Sequence, residues 1–377
     1  MKPVTLLHLN TESGWRGGEA QTLRLVEGLG RRGHNCLLVT QPGSALRRRA
    51  ESAGLRTMAI PMRGELDLAA ARRLADIVRS ERVELLHYHT AHAVTLGTLA
   101  TLLCGRRPAI AARRVSFPLR SRIFGRLKYT WRVDRVVAVS EAIRRRLIGQ
   151  GLRSERVVTV HSGIDPERFA TGDRARFRAS LTAPGSPGSG IRDSTFLIGT
   201  VGHLTAHKGI DLFLEAAALA APEIPEALFL IAGRGEEEAS LRLLAARLGI
   251  LERVLFAGFR DDTPDLFAGL DLFVLASHSG EGSPAVLKES MAAGVALAAT
   301  ALEGVEEIVE DGCHGLLTPP RNAPALARAM VLLASDPALR TRLADAARER
   351  VREFTAERMV EKTEAIYRSI GPASWRD

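Results

Sequence analysis

From Leu272 to Gly294 the chain reads LFVLASHSGEGSPAVLKESMAAG. The apolar run Leu272–Ala276 has the length and composition of a buried strand. The polar, glycine-containing Ser277–Gly282 predicts a loop. Ser283 is a favoured N-cap and Pro284 suits the first helical position, so a helix is expected over Pro284–Ala293. The loop carries Glu281 and the helix carries Glu289, eight positions on.

This strand–loop–helix pattern recurs along the chain. Earlier strands are expected at Val4–Leu9, Cys36–Thr40, Thr57–Ile60, Leu85–His89, Ile110–Ala112, Val136–Ser140 and Val157–Val160. Helical periodicity fills Glu19–Arg32, Ser44–Ala53, Asp67–Ser80, Ala91–Leu103 and Glu141–Gln150. The second half repeats the scheme, with strands at Phe196–Val201, Ala227–Ala232, Val254–Ala257, Val295–Ala299 and Leu316–Thr318. Near-continuous apolar strands alternating with amphipathic helices argue for parallel sheets covered on both faces. Thr182–Gly190, TAPGSPGSG, is rich in chain breakers and reads as a linker or surface loop. The expected organisation is two α/β domains of the doubly wound kind, residues 1–180 and 196–354, joined by a linker at 181–195. A last helical stretch, 355–377, follows a second domain that is already complete and is expected to cross back to the first.

A chain of 377 residues is too long for one core, so two domains are the natural division. Its 46% hydrophobic and 25% charged residues are the proportions of a soluble globular protein. No run approaches the length of a spanning helix, and MKPVTLLHLN lacks the basic and apolar regions of a signal peptide. Cys36, Cys104 and Cys313 lie far apart with no C-x-x-C, which favours a reducing compartment over disulfides or zinc. P-loop, G-x-G-x-x-G, H-E-x-x-H and G-x-S-x-G motifs are missing, so ATPase, dinucleotide oxidoreductase, zinc protease and serine hydrolase chemistry have no sequence support.

In TVGHLTAHKGIDLFLEA (Thr200–Ala217) a strand ends at Val201 and Lys208-Gly209 opens a helix. A turn at the carboxyl end of a parallel strand faces the crevice where ligands bind. Lys208 can offer a cation to a phosphate there, with His203 a second donor; otherwise it is a solvated lysine set slightly unfavourably against the helix dipole. The start of the helix at Ser283 also favours an anion. Each glutamate can accept from paired hydroxyls, so Glu281 and Glu289 can read the two sugars of a nucleotide sugar.

The block Ser277–Gly294, followed by TALEGVEEIVEDGCHGLL, resembles the signature of the family 4 retaining glycosyltransferases, including their paired glutamates. VGHLTAHKG, LIAGRGEE and LFAGFRDD resemble further landmarks of that family's second domain. GGEAQTLRLVEGLGRRGH (Gly17–His34), LLHYHTAH, VVAVSEAIRRRL and VVTVHSGIDPERF resemble those of the first, in the expected order. The likeness spans roughly residues 3–370. It implies the GT-B fold: two Rossmann-like domains facing an interdomain cleft, the first binding acceptor and the second nucleotide sugar.

By this resemblance Lys208 and His203 bind the donor diphosphate, Glu289 the ribose, and Glu281 sits against the transferred sugar. Gly17 and Gly18 let backbone approach the ligand, His89 stands near the sugar, and Phe259 and Arg260 near the base. Catalysis would rest on Glu281, His89 and Lys208, with Ser283 opening the anion-facing helix. The family usually has arginine at position 203 and the commoner NGVD where this chain has HSGID. Histidine lacks the permanent, bidentate charge of arginine. The resemblance further implies a hexosyltransferase retaining anomeric configuration by front-face attack, with UDP- or GDP-sugar as donor and no metal. The acceptor would be a glycan or lipid-linked precursor of lipopolysaccharide or exopolysaccharide. A nucleotide-sugar epimerase and a non-catalytic binding protein of the same fold are the alternatives.

Residues 101–150 hold thirteen Arg or Lys against two acids, a local excess larger than the whole chain's net +9. Within it, Arg113–Arg132 interleaves basic with aromatic and aliphatic residues, as an element lying on anionic lipid would. An anionic glycolipid acceptor or a solvated helix over core residues would use the same pattern. No nucleic-acid-binding motif accompanies it. The resulting expectation is a cytoplasmic enzyme held peripherally at the inner face of the membrane. His87 and His89 share one face of a strand, and without nearby Cys or acidic residues a structural or sugar-contacting role is expected over a metal.

Overall fold

The computed structural model describes residues 2–115, 122–182, 191–192 and 194–375. Their contacts form two units, Met1–Gly163 with Ala356–Asp377, and Ile164–Thr355. Among the described residues, the first unit has seven strands: β1 Thr5–Leu9, β2 Asn35–Thr40, β3 Thr57–Ala59, β4 Leu85–Tyr88, β5 Ala109–Arg113, β6 Arg135–Ala138 and β7 Val157–Thr159. They form one parallel sheet in the order β3-β2-β1-β4-β5-β6-β7. The second unit has six: β8 Phe196–Val201, β9 Ala227–Ala232, β10 Val254–Gly258, β11 Leu272–Leu275, β12 Ala296–Thr300 and β13 Leu316–Thr318. Their order is β10-β9-β8-β11-β12-β13, again all parallel.

Both sheets are doubly wound, as the alternation of apolar runs and amphipathic helices predicts, and each expected strand is present to within two residues at its ends. Strand interiors are buried on both faces: Leu6, Leu7 and Leu9 of β1, and Leu272, Phe273 and Val274 of β11, are fully inaccessible. Neither face of such a strand can be left to water, so helices must cover both. Strand order reverses between β1 and β4 in the first sheet and between β8 and β11 in the second. Ligands of open α/β sheets bind beyond the carboxyl ends of the strands at that point. These two positions are where the candidate residues gather.

Several short helices escape the sequence reading: Pro166–Ala170, Arg174–Thr182, Thr263–Gly269 and Glu303–Glu306. They are too short to show a periodic apolar stripe. The first pair shifts the boundary between units, which falls after Gly163 rather than at residue 180. The cause is packing: Phe169, Phe177 and Leu181 belong to the same core as Leu266 and Phe267. Arg178 also reaches Asp271 at 2.6 Å. Of the expected linker, residues 183–190 and 193 lie outside the described residues.

The helix Ala356–Ile370 belongs to the first unit and lies against Gly17–Arg31. The fit is close enough that a Cβ on Gly28 would stand 2.4 Å from Val360. Arg32 Nε meets Glu364 Oε2 at 2.8 Å, and Met359, Val360, Ile366 and Tyr367 join a core with Leu25 and Leu29. Among the described residues no helix is long and apolar enough to cross a membrane.

Candidate functional site

In the second unit the loops after β8, β9 and β11 are packed backbone on backbone, which glycine alone permits. Gly209 adopts a left-handed φ of 64°, and a Cβ there would stand 1.9 Å from the carbonyl oxygen of Ala276. Cβ atoms on Gly233 and Gly235 would stand 1.8 and 2.1 Å from the oxygens of Gly202 and Leu204. A hydrogen bond from the His278 amide to the His207 carbonyl, 2.9 Å, ties two of these loops together.

This packing brings Lys208 to Glu281. The ammonium donates to Oε1 of the buried carboxylate at 2.7 Å, and the Ser277 hydroxyl donates to the same oxygen at 2.5 Å. Beneath, Gly304 lies against the backbone of Glu281 and Gly282, where a Cβ would stand 2.4 Å from the Glu281 oxygen. The helix expected from Pro284 spans Ala285–Ala293. Pro284 keeps an extended ψ of 119° and is the N-cap, so Ser283 stands one residue outside the expected capping position. Its hydroxyl accepts instead from Lys288 at 2.7 Å. Lys288 is wholly buried, with its ammonium 5.1 Å from the centre of the Phe354 ring. Glu289 follows it on the helix and is buried.

The remaining second-unit candidates are less gathered. His203 is exposed in the loop after β8, and Phe259 is 46% exposed after β10. Arg260 is committed to a local ion pair with Asp262, donates to Ser180 Oγ at 3.1 Å, and lies over the Phe177 ring. Its charge is thus spent on Asp262, and its remaining contacts are with the helix Arg174–Thr182.

In the first unit Gly17 and Gly18 open the helix Gly17–Arg31 after Arg16. Glu19 Oε2 accepts from the Arg16 amide at 2.9 Å, and burial pushes the pKa of this carboxyl above its usual value. A Cβ on Gly17 would meet nothing within 4 Å, and one on Gly18 only the Arg114 side chain at 3.8 Å. The packing of the unit itself does not require glycine at either position.

The register of β1 and β4 sets His8 beside His87, and His89 follows β4 on the same face. The three rings are stacked or tilted with centroids 4.2 to 5.5 Å apart. His8 Nδ1 and His89 Nε2 are hydrogen-bonded at 2.9 Å, and His87 Nδ1 pairs with the Tyr367 hydroxyl at 2.7 Å. Arg114 NH2 lies 2.9 Å from His89 Nδ1. Burial pushes His8 down to about 3 and His87 and His89 well below the usual imidazole range. The rings are therefore neutral at pH 7. His89 is only 3% exposed and both its ring nitrogens are engaged by the protein, so it does not present the sugar-facing imidazole expected from the sequence.

The three imidazoles are close enough to share a metal ion, with ligand atoms within 4.8 Å of one another. Their mutual hydrogen bond and the adjacent guanidinium, whose charge repels a cation, fit a polar structural network better. In a second grouping, Glu310, Cys313 and His314, the Glu310 amide donates to His314 Nδ1 at 3.2 Å. That bond leaves the proton on the nitrogen facing Cys313, where a metal would need a lone pair.

Sequence reasoning missed Arg114, Lys288 and the exact role of Gly209. Arg114 was indistinguishable from twelve other basic residues in its segment. Lys288, flanked by apolar and acidic residues, carries no signal that its charge is buried. A clue existed for Gly209: a glycine between a cation and a helix start is a site for left-handed backbone.

Residues 15–168 match Glycosyltransferase Family 4, and residues 186–350 match Glycosyl transferases group 1. The lipopolysaccharide core biosynthesis glycosyltransferase LpsE of Rhizobium meliloti is 28% identical over 359 residues, covering 94% of this chain and 95% of LpsE. The N-acetyl-alpha-D-glucosaminyl L-malate synthase of Bacillus anthracis is 27% identical, covering 81% of this chain and 79% of its own length. Anabaena HepE, solved in complex with UDP and glucose, shares the fold with a TM-score of 0.86 at 21% identity, over 97% of this chain and 100% of that one.

Proposed function

The chain belongs to the family 4, group 1 glycosyltransferases, and from that premise we propose that it transfers a sugar from a nucleoside-diphosphate sugar to a cell-envelope glycan or lipid-linked acceptor. The observation that carries this reading is the half-satisfied pair at the second switch point. Lys208 spends one ammonium hydrogen on Glu281, and its other two have no protein acceptor among the described residues. Glu281 spends Oε1 on Lys208 and Ser277, while Oε2 has no partner among them. The cation is thus fixed by the carboxylate and still open to phosphate oxygens. The carboxylate is fixed by the cation and still open to a sugar hydroxyl.

When the glycosidic bond to the donor breaks, negative charge grows on the departing diphosphate. Lys208 and the amide end of the helix Ala285–Ala293 supply a positive field there without reorganising. Glu289 accepts from the ribose hydroxyls, and His203 is a weaker, exposed donor to the phosphate. The departing phosphate takes the proton of the acceptor hydroxyl, which attacks on the same face, giving retention of configuration. This scheme asks nothing of a metal. UDP or GDP is the carrier, and the name of the relative LpsE supports a lipopolysaccharide-type acceptor.

A thermal-shift panel of UDP-, GDP- and ADP-sugars, paired with an assay of nucleoside diphosphate release, tests the reading. One donor is expected to raise Tm and to be consumed, and Glu289→Ala is expected to abolish its shift. Tight donor binding without any turnover would instead identify a binding protein, and an unchanged shift in Glu289→Ala would remove the ribose assignment.

The same reading puts the enzyme at the cytoplasmic face of the membrane. Along the helix Arg122–Thr130 and just beyond it, Phe124, Leu127 and Trp131 are 77%, 50% and 47% exposed at helical spacing, while Tyr129 is core. Residues 116–121 of the basic–aromatic segment lie outside the described residues. Apolar side chains among arginines suit anionic lipid. In a pelleting assay the protein is expected to sediment with anionic but not neutral vesicles; equal, negligible binding to both would remove the membrane contact.

A further inference from the structure

Arg114 follows β5 and turns its side chain toward the end of β4. A guanidinium has five N–H groups and no lone pair, so in its 2.9 Å contact with His89 Nδ1 the arginine must donate. His89 is neutral, so its single proton sits on Nε2 and is donated to His8 Nδ1 at 2.9 Å. The proton of His8 then lies on Nε2, an atom that is buried without a partner. One arginine thereby sets the tautomers of two histidines, and His89 keeps no nitrogen for a ligand.

The same count shows what Arg114 has left. NH1 donates to Thr22 Oγ1 at 3.1 Å and to the His89 carbonyl at 3.3 Å, and NH2 gives one hydrogen to His89. The end of the fork thus grips His89. The Nε–H and the second NH2 hydrogen, which lie along its side edge, have no acceptor among the described residues. No carboxylate lies within ion-pair distance of Arg114 among them either. Burial lowers the guanidinium to about 10, which still leaves it charged at neutral pH. The side chain lies against Gly18, and the space where a Cβ of Gly17 would project is open.

We propose that Arg114 is the substrate-contacting residue of the first unit, taking a phosphate oxyanion on its Nε–NH2 edge, and that His89 is a positioning residue that aims it. A planar edge with two parallel N–H groups matches two oxygens of one phosphate. Such a phosphate can come from the donor diphosphate or from a phosphorylated acceptor. The proposal rests on the glycosyl-transfer reading only for which molecule carries it.

The test is an NMR titration of the full chain, following the Arg114 Nε–H and the His89 ring nitrogens. Inorganic phosphate added to the Lys208→Ala variant, in which the second-unit cation is gone, is expected to shift the Arg114 Nε–H if the phosphate is of the acceptor kind. A shift only with UDP or GDP in the intact protein would assign it to the donor. No shift with either probe overturns the proposal, whatever the enzyme transfers; a shift without turnover on any donor leaves it standing while the transfer reading falls. Arg114→Gln is expected to weaken phosphate binding by at least about tenfold, the worth of one charge-assisted hydrogen bond, with Arg114→Lys in between. His89→Gln, which keeps an acceptor for the fork, is expected to retain binding better than His89→Ala. Equal binding by those two variants would refute the positioning role.

Discussion

Lys208→Ala is expected to lower kcat/KM with the accepted donor by about 100- to 1000-fold, the usual cost of removing one preorganised charge from a transition state. The size follows from where the cation sits. Its ammonium is anchored at 2.7 Å by a buried carboxylate, so in the proposed transfer it needs no rearrangement when charge develops on the leaving phosphate. Removing it also leaves the buried Glu281 carboxylate with the Ser277 hydroxyl as its remaining side-chain donor among the described residues, a charge without its counter-ion. Lys208→Arg keeps the charge but replaces a compact ammonium with a wider fork in a loop fixed by glycine contacts, so partial activity is expected. Steady-state kinetics on all three proteins decide the matter. A Lys208→Ala enzyme with unchanged kcat/KM would show that the leaving group is stabilised elsewhere.

Gly209→Ala is expected to destabilise the second unit by about 3 kcal/mol or more, placing it among the severe single substitutions. Two effects combine. A left-handed conformation costs an alanine about 1 kcal/mol or slightly more. The new methyl would also stand 1.9 Å from the Ala276 oxygen and 2.8 Å from its carbonyl carbon, and neither is a side-chain end that can swing away. Urea unfolding followed by circular dichroism should show the second-unit transition at lower denaturant. Gly17→Ala is the control, because its methyl meets nothing within 4 Å. It should leave stability near that of the parent while impairing ligand binding, if the glycine is there for the ligand. Equal stability of Gly209→Ala and the parent would mean that the loops after β8 and β11 are not locked as described.

These two substitutions separate the roles that glycine plays here. At Gly209, Gly233 and Gly235 the absence of a side chain lets the protein touch itself. At Gly17 a Cβ would meet nothing within 4 Å, so the protein's own packing leaves that ground open. The sequence shows only that glycine is present, and both uses look alike in it.

Much of the fold was legible because its cause is local. A strand buried on both faces must be apolar throughout, and a covering helix must alternate with the helical period, so Leu272–Leu275 and Ala285–Ala293 announce themselves. The collinear motifs from Gly17 to Glu289 also carried the family. What stayed hidden depends on contacts between distant segments. Phe169 and Phe177 belong with Phe267 rather than with the strands before them. Ser283 turns to a buried lysine five residues on rather than capping its own helix, because Pro284 is still extended.

The histidines mark the division most sharply. By itself the sequence determined that His87 and His89 lie on one face of a strand, since side chains alternate along it. Only the tertiary structure decided that His8 completes the group from the neighbouring strand, that Tyr367 reaches it from the far end of the chain, and that Arg114 takes the last nitrogen of His89. Alternation is a property of one strand's own backbone. Which charge is buried, and which hydrogen is left to meet a ligand, is settled by partners as many as 280 residues apart.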